Sequence, residues 1–252
     1  MAVRTPVERH DDEPAFVLHS YPYRETSLIV EAFTPTFGRV AMVARGAKRP
    51  RSETRGLLQA FQPLTLSWSG AGELKTLLKA EWRGGLPLPG GSALLCGFYL
   101  NELLLKLAAR EDAHPALFDA YAQALAALAD QPEASMQAAV LRRFERTLLA
   151  ELGYGLMLTR EAGTSAQIAP EGRYHYEFER GPRRVDAMAR EPGGGGPVVR
   201  GATLLALAAD SFPDAETAAE AKRLMREVLD HHLEQRQIAS RRIVRDLMAM
   251  DE

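Results

Sequence analysis

Short apolar runs with turn signals between them open the chain. Ala15-Phe-Val-Leu-His-Ser20 and Ser27-Leu-Ile-Val-Glu-Ala-Phe33 are rich in strand formers, with Pro22 and Arg24-Glu25 punctuating the gap. Thr34-Pro-Thr-Phe-Gly38 reads as a turn into Arg39-Val-Ala-Met-Val-Ala44. Pro63-Leu-Thr-Leu-Ser-Trp68 alternates cleanly, Ser69-Gly-Ala-Gly72 turns, and Leu74 to Trp82 follows. Five short strands, with a longer excursion from Arg45 to Ala60 that has room for a short helix, predict a small closed barrel of the OB type.

The period then changes. Gly84-Gly-Leu-Pro-Leu-Pro-Gly-Gly91 reads as a linker and domain boundary. Helical spacing predicts a helix from Ser92, as N-cap, to Arg110. A second runs from Pro115 to Ala129, and a third from about Glu133 to Leu152, stopped by Gly153. Arg173-Tyr-His-Tyr-Glu-Phe-Glu179 alternates like a strand and turns at Gly181-Pro182, and residues 192–197 read as a loop tip. Helices return at Thr203–Ala209 and Asp214–Glu234, with a last short one from Ser240 to Met250. The expected fold is α+β. A polar mobile tail (1–13) precedes an OB barrel (14–84), which a mainly helical domain (92–252) with a small β-containing insertion at about 159–200 follows.

Charge sharpens this division. The whole chain carries −2, but residues 14–83 hold ten basic against five acidic side chains, and residues 84–140 hold two against six. The barrel is thus the part suited to a polyanion. The lone cysteine, Cys96, excludes an intrachain disulfide and a cysteine-cluster zinc site, and reads as a buried thiol. No secretory leader is apparent, and no stretch reaches the ~18 uncharged apolar residues of a membrane span. A cytoplasmic, nucleoid-associated location is expected.

No catalytic constellation stands out: Gly-x-Ser-x-Gly, the P-loop and His-Glu-x-x-His are all absent. Gly70-Ala-Gly72 is a hairpin turn rather than a phosphate cradle. His231-His232 are neighbours on a helix and diverge too far to share a metal easily. Asp11-Asp12-Glu13 lacks the second acidic cluster that a two-metal nuclease requires. The strongest positive signal is Arg45, Lys48, Arg49, Arg51 and Arg55, interrupted only by Glu53. Beside the third strand of an OB barrel such cations can neutralise phosphates without reading sequence. Arg39 and Lys75 join them as DNA-binding candidates, with Tyr21, Tyr23, Phe33, Phe37 or Trp68 as stacking platforms. Lys222, Arg223, Arg226, Arg236, Arg241, Arg242 and Arg245 form a second basic set, diluted by acids. A third, Arg142-Arg143-Phe144-Glu145-Arg146 beside leucines, suits an acidic, aromatic-ended peptide.

Several fragments, in order, resemble the RecO family of bacterial recombination mediators. They include Ala15-Phe-Val-Leu-His-Ser20, Glu25-Thr-Ser-Leu28, Phe37-Gly-Arg-Val40, Val43-Ala-Arg-Gly-Ala47 and Gly72-Glu-Leu-Lys-Thr-Leu77. Gly97-Phe-Tyr-Leu-Asn-Glu-Leu103, Leu141-Arg-Arg-Phe-Glu145, Leu152-Gly-Tyr-Gly155, Phe212-Pro-Asp-Ala215 and Ser240-Arg-Arg-Ile243 extend the likeness almost to the end. The resemblance implies binding of single- and double-stranded DNA and annealing of complementary strands. It also implies help in loading recombinase onto strands coated by the single-strand-binding protein, without enzymatic activity. Implied partners are RecR and the acidic C-terminal tail of the single-strand-binding protein, the latter held by Arg142 and its neighbour Arg143. Many relatives carry a four-cysteine zinc module after Leu-Gly-Tyr. Residues 159–190 contain no cysteine, so no zinc or other cofactor is expected and Tyr174, Tyr176 and Phe178 are expected to supply packing instead. Two other readings remain open: an OB-fold protein–protein adaptor with an incidental basic loop, and a metal-dependent nuclease.

Overall fold

The computed structural model describes residues 8–130, 133–185, 195–233 and 238–241. Five strands close a barrel: β1 (Arg9–Tyr23), β2 (Ser27–Thr34), β3 (Gly38–Ala44), β4 (Pro63–Ser69) and β5 (Leu74–Trp82), in the order β1-β2-β3-β5-β4. Neighbours are antiparallel except β3 and β5, which run parallel from Ala41↔Leu74 to Val43↔Thr76. The short helix α1 (Glu53–Leu57) lies in the β3–β4 excursion, as the spacing predicts. Inward positions fill the barrel with Val17, Val30, Ala32, Val40, Met42, Leu64, Leu66 and Trp68. This is the OB arrangement expected from five short strands with one longer excursion between the third and fourth.

Strand β1 starts earlier than expected. Residues 9–13, predicted as part of a mobile tail, pair with β4 from Arg9↔Ser69 to Glu13↔Leu66. Their polarity hides this because the ladder is made by the backbone, and a bulge between His10 and Glu13 turns the acids outward. At the bulge Asp12 has φ +56° and its N–H donates to Ser67 Oγ at 3.0 Å. Glu13 accepts the Thr36 N–H at 3.1 Å, and His10 packs on Phe37 and Trp68. The rest of the predicted tail, residues 1–7, lies outside the described residues.

Past the linker come α2 (Ser92–Leu107) and α3 (Pro115–Asp130). Gly91 rather than Ser92 stands at the N-cap of α2. Both helices cover the outward face of β1 and β2: Phe16 and Phe33 meet Phe118 and Tyr121 with ring centroids 5.2–6.2 Å apart. Asn101 Nδ2 donates to the Leu18 carbonyl at 2.8 Å and its Oδ1 accepts the Tyr121 hydroxyl. That pairing satisfies buried polar groups at the seam. Burial pushes the Tyr121 phenol well above its usual range. A β-carbon on Gly97 would lie 2.9 Å from Phe61, so the glycine lets α2 approach the chain leading into β4. Cys96 is half-buried rather than buried. These helices form one compact unit with the barrel and residues 238–241. Within it, Glu102 accepts the Ala239 and Ser240 N–H groups at 2.7 and 2.8 Å. Burial works against its charge, but hydrogen bonds from Lys106, Ser240 and Ala239 together hold its carboxyl below the usual range.

The second unit runs from α4 (Ala134–Glu151) through α5 (Gly201–Ala209) to α6 (Ala215–His232). It includes a three-stranded sheet ordered β7-β6-β8, from β6 (Arg173–Glu177), β7 (Gly181–Arg184) and β8 (Val198–Arg200). Asp214 caps α6 by accepting the Thr217 N–H at 2.7 Å. Tyr174 and Tyr176 are buried, the Tyr174 hydroxyl accepts the Ala169 N–H at 2.9 Å, and Phe178 stacks on His231. His232 stacks on Tyr154, and burial first, then the neighbouring His231, lowers its pKa. Among the described residues, no three His, Cys, Asp or Glu side chains cluster as a metal site requires, and no helix is long and apolar enough to cross a membrane. The expected loop tip at 192–194 and the final helix beyond residue 241 lie outside the described residues.

Candidate nucleic-acid interface

Strand direction decides which loops meet. β1 ends, β2 begins, β3 ends, β4 begins and β5 ends at one rim of the barrel. That rim therefore gathers the 24–26 turn, the 45–52 turns with α1, and the chain leaving Trp82. The 45–52 segment is a run of tight turns: Arg49 N–H donates to Gly46 O and Ser52 N–H to Arg49 O, each at 3.0 Å. Gly46, at φ +71°, supplies the left-handed residue the first turn requires. Lys48 fastens it to the neighbouring hairpin, its N–H donating to Thr26 O at 2.9 Å and its ammonium to Arg24 O at 3.2 Å.

This fixed backbone holds its cations outward. Arg45, Arg49, Arg51 and Arg55 are exposed, and Lys48 is half-buried. Among the described residues none of the four arginines forms an ion pair. Arg24 and Arg83 lie exposed at the same rim. Of the acids there, Glu81 binds Lys79 at 2.8 Å, and that hydrogen bond raises the Lys79 pKa. Glu25 and Glu53 are exposed at this rim as well, so it is a rim with an excess of unpaired positive charge on a short-turn scaffold.

Arg39 and Lys75, expected to face DNA, sit elsewhere, at the opposite half of the barrel, and are 9% and 7% exposed. Arg39 Nη1 donates to the carbonyls of Leu105 and Ala108 at 2.6 and 2.7 Å, and Nη2 to Glu31 at 3.3 Å. It thereby caps α2, whose last carbonyls have no helical partner. Arg110 reaches the same buried Glu31, and Lys75 pairs with Glu111 at 2.7 Å. Both are therefore buried and already engaged within the protein. The expected stacking rings divide similarly. Phe33 and Trp68 are buried in packing, Phe37 is half-buried against Trp68, Tyr23 is half-buried beneath the Arg24 guanidinium, and Tyr21 is exposed. The exposed rim aromatic that sequence reading passed over is Trp82, 59% exposed. Its signal was its position, where a strand ends in Trp-Arg before glycines.

In the second unit, Arg142 is 8% exposed and donates to the buried Glu145 at 2.6 Å, so it does not stand open to a peptide. Arg143 is exposed and contacts Asp210 at 3.3 Å. Arg146 binds both Asp210 and the Leu207 carbonyl at the C-terminus of α5. Lys222 is exposed, Arg223 bonds the Val198 carbonyl at 2.8 Å, and Arg226 faces Asp230 at 3.7 Å. In the first unit, Arg241 lies against Tyr99; Arg236, Arg242 and Arg245 lie outside the described residues.

Family models match on both sides of the linker: the recombination protein O N-terminal domain over residues 11–85 and its C-terminal domain over residues 90–242. The chain belongs to the recombination protein O family. It is 52% identical over 240 residues to the DNA repair protein RecO of Dechloromonas aromatica, covering 95% of this chain and 97% of that protein. Likeness to the protein of the same name from Aromatoleum aromaticum is 51% over 243 residues, covering 96% and 98%. For Azoarcus sp. it is 48% over 251 residues, covering 99% and 100%. The barrel is accordingly the OB-fold of a family of DNA-repair proteins, and its basic rim is the face to weigh against that role.

Proposed function

We propose that this protein binds single- and double-stranded DNA through the basic rim of its barrel, anneals complementary strands and helps load recombinase onto strands coated by the single-strand-binding protein. The observation that carries this is the set Arg45, Arg49, Arg51 and Arg55, exposed and without ion pairs among the described residues, beside Lys48 on a backbone pinned by turn hydrogen bonds. Phosphate contacts of this kind supply affinity without sequence preference. Holding two strands on one positive surface screens their repulsion, and base pairing then provides the free energy for annealing. The action is binding rather than catalysis and consumes no nucleotide.

RecR and the acidic tail of the single-strand-binding protein are the proposed protein partners. Arg143 offers the tail an exposed guanidinium on α4, beside Asp210, while Arg142 is buried in its pair with Glu145. The corresponding location is the cytoplasm, at the nucleoid.

The test is fluorescence anisotropy of a labelled oligo-dT strand titrated at several salt concentrations, with wild type and the Lys48/Arg49/Arg51→Ala variant. Three lost phosphate contacts should make the salt slope shallower by about two units, at ~0.7 per contact on a single strand. Equal slopes would remove the rim from the DNA path.

A further inference from the structure

We propose that Trp82 is a base-stacking platform that makes the basic rim prefer unstacked, single-stranded DNA over duplex. The inference rests on the rim being the DNA face and adds how bases, rather than phosphates, are held there.

Trp82 closes β5 at the same rim as the 45–52 turns, because β5 runs parallel to β3. It is 59% exposed, although an indole is among the side chains that gain most from leaving water. Its orientation is nevertheless restrained. The indole N–H donates to Gln62 Oε1 at 3.0 Å, and the linker passes close by, so that a β-carbon on Gly85 would lie 3.3 Å from Cζ2. The polar edge of the ring is thus bonded to the protein's own Gln62 while much of its apolar surface stays in water. A ring held in this way loses little freedom when a flat partner covers it.

Charge settles what that partner is. Arg83 follows in sequence and is exposed, α1 with Arg55 packs beside β5, and the unpaired arginines of the turns share the rim. A restrained ring next to unpaired cations matches a polyanion that carries its own flat rings, as single-stranded DNA does. Duplex DNA offers the same phosphates with its bases already stacked. Leu74, exposed on β5 as well, lies at the other rim beside Glu73 and has no such setting.

The chain contains two tryptophans, and the other, Trp68, is 1% exposed in the barrel core. Emission changes on binding therefore report on Trp82. The full chain is titrated at low salt with oligo-dT, with a duplex of equal length and with an acidic peptide, following intrinsic fluorescence and, for labelled DNA, anisotropy. Wild type, Trp82→Phe and Trp82→Ala are compared. The expected result is quenching by oligo-dT and little by duplex, with the quenching lost in Trp82→Ala. That variant should also bind oligo-dT about 10-fold more weakly with an unchanged salt slope, and Trp82→Phe should keep most of the affinity. Binding of oligo-dT with a normal salt slope but no quenching would overturn the stacking role and leave the basic rim standing. Equal quenching by duplex would reduce the effect to proximity and also overturn it. Quenching by the peptide alone would give the ring to a polypeptide. Absence of any DNA binding would remove the rim reading and this inference with it.

Discussion

The two rims of the barrel use the same residue types for opposite purposes. At one, Arg45, Arg49, Arg51 and Arg55 project from tight turns into water with no acid committed to them among the described residues. At the other, Arg39 and Lys75 are buried, and Glu31, Glu111 and the last carbonyls of α2 absorb their charge. A β-carbon on Gly38 would fall 1.8 Å from the Asp112 carbonyl oxygen, so that rim also needs a glycine to let the α2–α3 connection approach. The helical extension is thus locked to one rim by buried cations. The other rim keeps cations free to be neutralised by a ligand. What separates binding charge from structural charge here is the partner that the chain itself supplies.

That contrast breaks most visibly at Arg39. Arg39→Ala leaves Glu31 buried with Arg110 alone and strips the cap from α2. The loss of one partner from such a buried pair costs about 3–5 kcal/mol. Thermal unfolding should shift down by roughly 10 °C for a chain of this size, while the salt slope for oligo-dT binding by the protein still folded at 20 °C stays as in wild type. A shallower slope with unchanged stability would place Arg39 among the DNA contacts and erase the distinction.

The barrel was legible because runs of strand formers are bounded by turn signals and Pro63 to Trp68 alternates, while β2 and β3, covered on both faces, read as continuous apolar runs. The helices were legible because their periodicity is long. What the sequence concealed depends on distant partners. Arg39 looks like another cation of a basic barrel segment, since the carbonyls of Leu104, Leu105 and Ala108 that bind it lie at the end of α2, 65 or more residues away. The start of β1 was hidden by Arg9 to Glu13, a polar run whose ladder is made by the backbone and whose side-chain partners, Phe37, Trp68 and Thr36, lie far along the chain. At Arg142 the partner is local, Glu145 three residues on in the same helix, and what the sequence did not display is the burial of that pair. The exposed turn cations were readable because local turns hold them, through hydrogen bonds spanning three residues.

Lys75 should give a smaller version of the Arg39 result. Its partner Glu111 keeps a half-exposed side chain, so Lys75→Ala lets the carboxylate turn to water rather than stranding it. A loss of about 1 kcal/mol, read as a drop of a few degrees in the melting temperature, with no change in salt slope, would class Lys75 with Arg39. A slope change would move it to the other rim.

Lys48 is the sharpest test of the distinction because it belongs partly to both classes. Its ammonium donates to the Arg24 carbonyl, yet the side chain is only half-buried and stands among the free arginines. Lys48→Met keeps the stem and removes the charge. An accessible hydrogen bond to a carbonyl contributes about 0.5 kcal/mol, so stability should barely fall, while the salt slope should lose about 0.7 if the ammonium also meets a phosphate. Arg49→Ala, measured beside it, should lose the same slope with no change in stability. If Lys48→Met instead lowers stability and leaves the slope untouched, Lys48 is a clamp between the two turns, and the phosphate contacts at this rim fall to the arginines alone.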